Sequence, residues 1–125
     1  MSAILLDHFY HIDSLAKTEG KVEATVTFDQ GHAIFQGHFP GMPVVPGVCQ
    51  TQMLGEVLAQ ALGHDLALAT ATSIKFLSLV DPVKTPSLQL SISYTVAEDV
   101  GYQVSAQYSQ GETVFFKFKG AFTTS

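Results

Sequence analysis

The sequence predicts an α+β protein in which a long antiparallel sheet wraps around one central helix. Several segments alternate apolar and polar residues with period two, and only Val48 to Leu62 shows a convincing helical pattern. Size is the third observation. At 125 residues and 46% apolar content, residues 1–125 form one domain, large enough to bury a core and too small for two. Curling the sheet around the helix is the smallest way to bury both.

Lys21 to Phe28 alternates apolar and polar residues and reads as a strand. A Pro/Gly-rich run then leads into the helix. Val48, Met53, Val57, Leu58, Ala61 and Leu62 supply much of its apolar surface, Pro46 suits the first turn, and Gly63 suits the stop. Gln52, Glu56 and Gln60 apart, the helix is apolar on most sides, so it should be wrapped rather than laid on a surface. From Leu66 onward the chain reads as strand. In Leu88 to Val96 every even position is apolar and every odd one polar, the pattern of a half-buried antiparallel strand. Glu98 to Gly101 turns the chain, and Tyr102, Val104, Ala106 and Tyr108 continue the alternation. Ser109 to Glu112 makes the next hairpin, and Val114, Phe116, Phe118 and Phe122 return on the last strand.

Charge and single residues narrow the function. The formal net charge is −5, and all six basic residues are lysines. Without arginine the chain lacks the planar fork that grips phosphate or guanine edges at two points, so nucleic acid is not an expected ligand. Lys75, Lys84, Lys117 and Lys119 fall on segments read as strand surfaces, either as solvated charges or as a local basic patch on an acidic body. No run of about 18 apolar residues offers a membrane span. Met1 to Asp7 does not read as a signal peptide, so the cytoplasm is the default location. Cys49 stands alone, which excludes an internal disulfide and a thiolate cluster. It reads as an apolar filler, since no base is spaced to activate it. His8 and His11 have a spacing found in some metal sites, but strand geometry puts them on opposite faces. No metal or cofactor is expected.

Gln36 to Gln52 carries the chemistry. It holds His38 with Pro40, Pro43, Pro46, Gly37, Gly41 and Gly47, a turn-rich run that fixes an imidazole against a helix N-terminus. Such a site suits reactions at a carbonyl, because imidazole titrates near working pH and the helix end favours developing negative charge.

His38-Phe-Pro-Gly41, Pro43 and Pro46-Gly-Val48 resemble the signature of the 3-hydroxyacyl-[acyl-carrier-protein] dehydratases of the hot-dog fold. Ile74-Lys-Phe-Leu77 with Pro82, and Phe116 to Gly120, resemble later segments of that family. The resemblance implies a hot-dog domain, a thioester substrate on acyl-carrier protein, His38 as the base at the carbon next to the carbonyl, and Gly47 N–H as the donor to the thioester oxygen. It also implies dimers whose sites combine the histidine of one subunit with a helix carboxylate of the other. Here the sequence departs from the family. Fourteen positions after the histidine the family carries Glu or Asp, which helps expel the hydroxyl as water, whereas this chain has Gln52.

A carboxamide donates hydrogen bonds but cannot act as a general acid, a loss that typically costs about 10²–10⁴ in rate. Three routes around the gap are open. Glu56, about 6 Å farther along the axis on the same face, serves instead or is simply paired with a neighbour. A heterodimer partner supplies the carboxylate. Or the reaction differs: isomerisation, or hydrolysis by a hot-dog acyl thioesterase. Candidate substrate-binding residues are Phe39, Val44, Val48, Met53, Glu56, Val57 and Phe76, of which Val44, Met53, Val57 and Phe76 are expected to line an apolar acyl tunnel between helix and sheet. Lys75 and Lys84 are the expected contacts to an acidic carrier. A catalytically impaired acyl-binding or partner subunit is the alternative to an enzyme.

Overall fold

The period-two segments pair into a single sheet. The computed structural model describes residues 4–37, 44–97 and 101–124. Its six strands are β1 (Tyr10–Thr18), β2 (Lys21–Phe28), β3 (Leu66–Phe76), β4 (Ser87–Ala97), β5 (Gly101–Gln110) and β6 (Thr113–Thr124). All neighbours are antiparallel, in the order β1-β2-β4-β5-β6-β3. Register follows the hydrophobic pattern, since a slip of one residue would turn each core side chain to solvent. Thus Val22, Ala24 and Val26 sit opposite Ile92, Leu90 and Leu88, and all six are buried. The turn predicted at Glu98 to Gly101 falls mostly outside the described residues. Gly101 opens β5 at φ 90°, where a β-carbon would stand 2.6 Å from the Phe122 carbonyl oxygen.

The central helix α2 spans Gly47–Leu62, one residue longer than the pattern suggested. Pro46 is its N-cap, in extended conformation, rather than a first-turn residue. Gly63 ends it in the left-handed region, its N–H donating to the Ala59 carbonyl, as a C-terminal glycine does without steric cost. Met53, Leu54, Val57 and Leu58 pack fully buried against the sheet, and the Tyr108 hydroxyl pins the first turns by donating to the Gln50 carbonyl at 2.6 Å. The wrapping is incomplete: Val48 is 76% exposed.

Two further expectations need correction. A short helix, α1 (Ala33–Gly37), precedes the central one, held by Phe35 stacking on Phe9. The segment after β3 is not strand. Residues 77–86 form a loop in which the Asp81 carboxylate caps the backbone N–H groups of Val83 and Lys84, so Lys84 sits in a turn and not on a strand. The strand expected from Leu66 is present as β3, which lies at one sheet edge and is exposed along most of its length, with two bulges, at Leu68/Thr70 and Ala71/Ser73. Among the described residues no helix is long and apolar enough to cross a membrane.

Candidate active site

The site is built on one stripe of α2. Val48, Gln52 and Glu56 recur every fourth residue, so they share a face one turn apart. This face starts at the helix N-terminus, where the N–H groups of the first turn have no intrahelical acceptor. The Pro46 carbonyl takes the N–H of Cys49 at 3.0 Å and of Gln50 at 3.1 Å, which leaves the N–H groups of Gly47 and Val48 without a backbone partner among the described residues. They stand at the positive end of the helix dipole, the place where an oxyanion is stabilised.

Phe76 closes over this end. Its Cε1 and Cζ atoms lie 2.7 Å from where a β-carbon on residue 47 would stand, so the ring can occupy this position only against glycine. The loop into the helix is fixed by Val45, whose N–H donates to the Val80 carbonyl at 2.9 Å and whose carbonyl accepts from Gln50 Nε2 at 3.2 Å. The other amide atom of Gln50, Oε1, is buried without a hydrogen-bond partner among the described residues.

The far end of the stripe is a carboxylate clasp. Glu56 Oε2 accepts from Leu5 N–H at 2.8 Å and from Gln52 Nε2 at 2.9 Å. Its Oε1 accepts from Leu6 N–H at 2.9 Å and from the Tyr10 hydroxyl at 3.0 Å. A carboxylate offers about four lone-pair sites, and four donors fill them. Glu56 is thus joined to its neighbours, and it fixes the side chain of Gln52 from one side. Burial first, then the charge of Glu56, push the Tyr10 hydroxyl far above the usual phenol range. The same two causes, in the same order, raise the Cys49 thiol, which is buried and therefore poorly suited to act as a nucleophile.

Of the residues singled out from sequence, Gly47, Val48, Gln52, Glu56 and Phe76 come together at this helix face. Val44 is buried in the loop before the helix, while Met53 and Val57 are wholly enclosed in the core and offer no surface to a ligand in this packing. His38 and Phe39 lie outside the described residues. Sequence reasoning missed the donors to Glu56. Two are backbone N–H groups, which carry no residue signature, and Tyr10 is 46 positions away.

Comparison with known proteins agrees with this architecture. A 3-hydroxyacyl-[acyl-carrier-protein] dehydratase FabZ of Dinoroseobacter shibae is 44% identical over 55 residues, 43% of this chain and 32% of the relative. The FabZ of Roseobacter denitrificans is 31% identical over 80 residues, covering 61% and 51%. The chain therefore spans about a third of the length of the first of these relatives and about half of the second. A FabZ of Caldicellulosiruptor saccharolyticus is 26% identical over 118 residues, covering 89% and 81%.

Among solved structures, the dehydratase heterocomplex ApeI:P from Xenorhabdus doucetiae superposes with a TM-score of 0.75 at 18% identity, over 90% of this chain and 96% of that one. An Erwinia carotovora protein superposes with a TM-score of 0.67 at 24% identity, over 92% of both chains. These likenesses establish the hot-dog fold. The model of the ApeI-like family, described as ApeI dehydratase, matches residues 14–115. Because that match takes in most of the chain, including all of α2 and the stripe it carries, the protein belongs to the ApeI-like dehydratase family.

Proposed function

We propose that this protein is a dehydratase-like lyase acting on 3-hydroxyacyl thioesters carried by acyl-carrier protein, in the cytoplasm. The observation that carries the reading is the family match over a helix whose N-terminus presents the Gly47 N–H, without a backbone partner among the described residues, and, on its Gln52 stripe, an amide held by Glu56. His38 removes the proton from the carbon next to the thioester carbonyl, and Gly47 N–H stabilises the enolate oxygen. Gln52, turned by Glu56, orients the 3-hydroxyl. Since a carboxamide has no proton to release, protonated His38 returns its proton to the departing hydroxide. The products are an enoyl thioester and water, with His38 neutral again.

His38→Ala should lower turnover of a 3-hydroxyacyl thioester by at least about 10²-fold. Retention of full turnover would end this reading. A second reading, a partner subunit that does not turn over alone, is favoured by the four donors on Glu56 and by the amide at 52. Purified chain with activity above that of the His38→Ala control argues against it. In either reading we propose assembly with a second hot-dog subunit, supported by the uncovered β3 edge and by the exposed Val48, Phe76 and Leu79.

A further inference from the structure

Half of the lysines of an acidic chain meet on the outer face of the sheet. Lys75 of β3 stands directly opposite Lys117 of β6, Ser73 stands opposite Lys119, and Ser105 and Gln107 of β5 continue the two rows. With Ser91 of β4 they line an open depression of about 470 Å³. Like charges directly opposite on neighbouring strands repel. Among the described residues none of the three lysines has an ion-pair partner. Glu23, on the neighbouring β2, is occupied by Ser91 and Gln89. An unrelieved cationic cluster on a body of net charge −5 fits an anionic partner that arrives from outside.

The chemistry of the patch narrows the partner. All three lysines are exposed, and without arginine there is no two-point grip on a phosphate. Separate, flexible ammonium groups suit carboxylates spread over a protein surface. Position narrows it further, because Lys75 adjoins Phe76, whose ring touches the helix N-terminus at Gly47. Patch and proposed site thus occupy opposite faces of the same strand end.

We propose that Lys75, Lys117 and Lys119 dock the acidic surface of the carrier protein that delivers the thioester, whose arm passes the Phe76 end of β3 to reach Gly47. The identity of the carrier rests on the function proposed above. The test measures binding of an acyl-carrier protein lacking its arm by fluorescence anisotropy, so that docking is read independently of turnover. The triple variant K75E/K117E/K119E should bind at least 10-fold more weakly than the parent protein and lose most of the salt dependence. Lys84, expected from the sequence as a carrier contact, lies in the loop after β3 and does not line the depression, so K84E should bind like the parent. Turnover of a pantetheine-linked substrate by the triple variant should be unchanged while carrier-linked turnover falls. If the charge reversals unfold the chain, K75Q/K117Q/K119Q removes the same charges and relieves their repulsion. Carrier binding unchanged in the triple variant, equal weakening by K84E, or binding of inorganic phosphate but not of carrier by the parent would each overturn the proposal. Binding that depends on the lysines, in a protein without turnover, would uphold the docking surface and refute the catalytic reading instead.

Discussion

Glu56 decides what can be learned at position 52. A single Gln52→Glu exchange would set a second carboxylate where an amide nitrogen now lies 2.9 Å from Glu56 Oε2. Two carboxylates at such range cannot both ionise freely, so one would hold its proton to higher pH. That folded-state value lies above the unfolded one, so Q52E should lose stability as pH rises through it and regain stability below about pH 5. The pair Q52E/E56Q keeps one acid and one amide. It should dehydrate a 3-hydroxyacyl thioester faster than Q52E alone, and equal rates would show that the acid position is not limiting. Tyr10→Phe removes one donor to the same carboxylate and should cost about 1.5–3 kcal/mol in urea unfolding. From the sequence, the amide at 52 was legible as the departure from its family, and the spacing to Glu56 as one helical turn. The clasp was not, because hydrogen bonds from Leu5 and Leu6 come from backbone atoms common to nearly every residue.

Elements were legible in proportion to how completely they are buried on one side. β4 alternates without a fault, and its apolar positions Leu88, Leu90 and Ile92 face the core. The helix was found within one residue because its start and stop are marked by Pro46 and Gly63. Residues 77–86 read as strand from their apolar content, but that content follows no core-facing rhythm: Leu77, Leu79 and Val83 are exposed in a loop while Val80 is buried. β6 packs closely against β3 at Gly120. A β-carbon on Gly120 would collide with the Thr70 carbonyl of β3 and stand 2.8 Å from Phe118 Cζ. Gly120→Ala should therefore destabilise the fold by about 1–3 kcal/mol through overpacking, read as a lowered Tm. Backbone offers no easy retreat there, unlike Gly47, where the obstacle is a side-chain ring.

At the scale of the molecule, three buried groups set the alkaline limit. Cys49, Tyr10 and Tyr108 are all pushed up by burial and then by the charge of Glu56. Their unfolded values are about 8.5 for thiol and about 10 for phenol, so the unfolded chain releases protons first as pH climbs. Stability is then full below about pH 8 and falls above it, and Tyr108→Phe should flatten that fall in a series of urea midpoints. The open β3 edge bears on assembly. Sedimentation should give at least a dimer, and L68E/L79E, which charges two exposed apolar positions, should shift it toward monomer. The helix wrapped by a sheet could be read from the sequence. Which strands lie at the two edges could not, since alternation says which face is buried and not which strand is last. The clasp on Glu56 also governs how this fold tolerates drift. The N–H groups of Leu5 and Leu6 persist under any replacement except proline, so changes there leave two of the four bonds in place. The bond between the first segment and the helix is inherited through position 56. A lineage that replaces it with a residue lacking an acceptor takes away the partner of the Leu5 and Leu6 N–H groups and of the Tyr10 hydroxyl at one stroke.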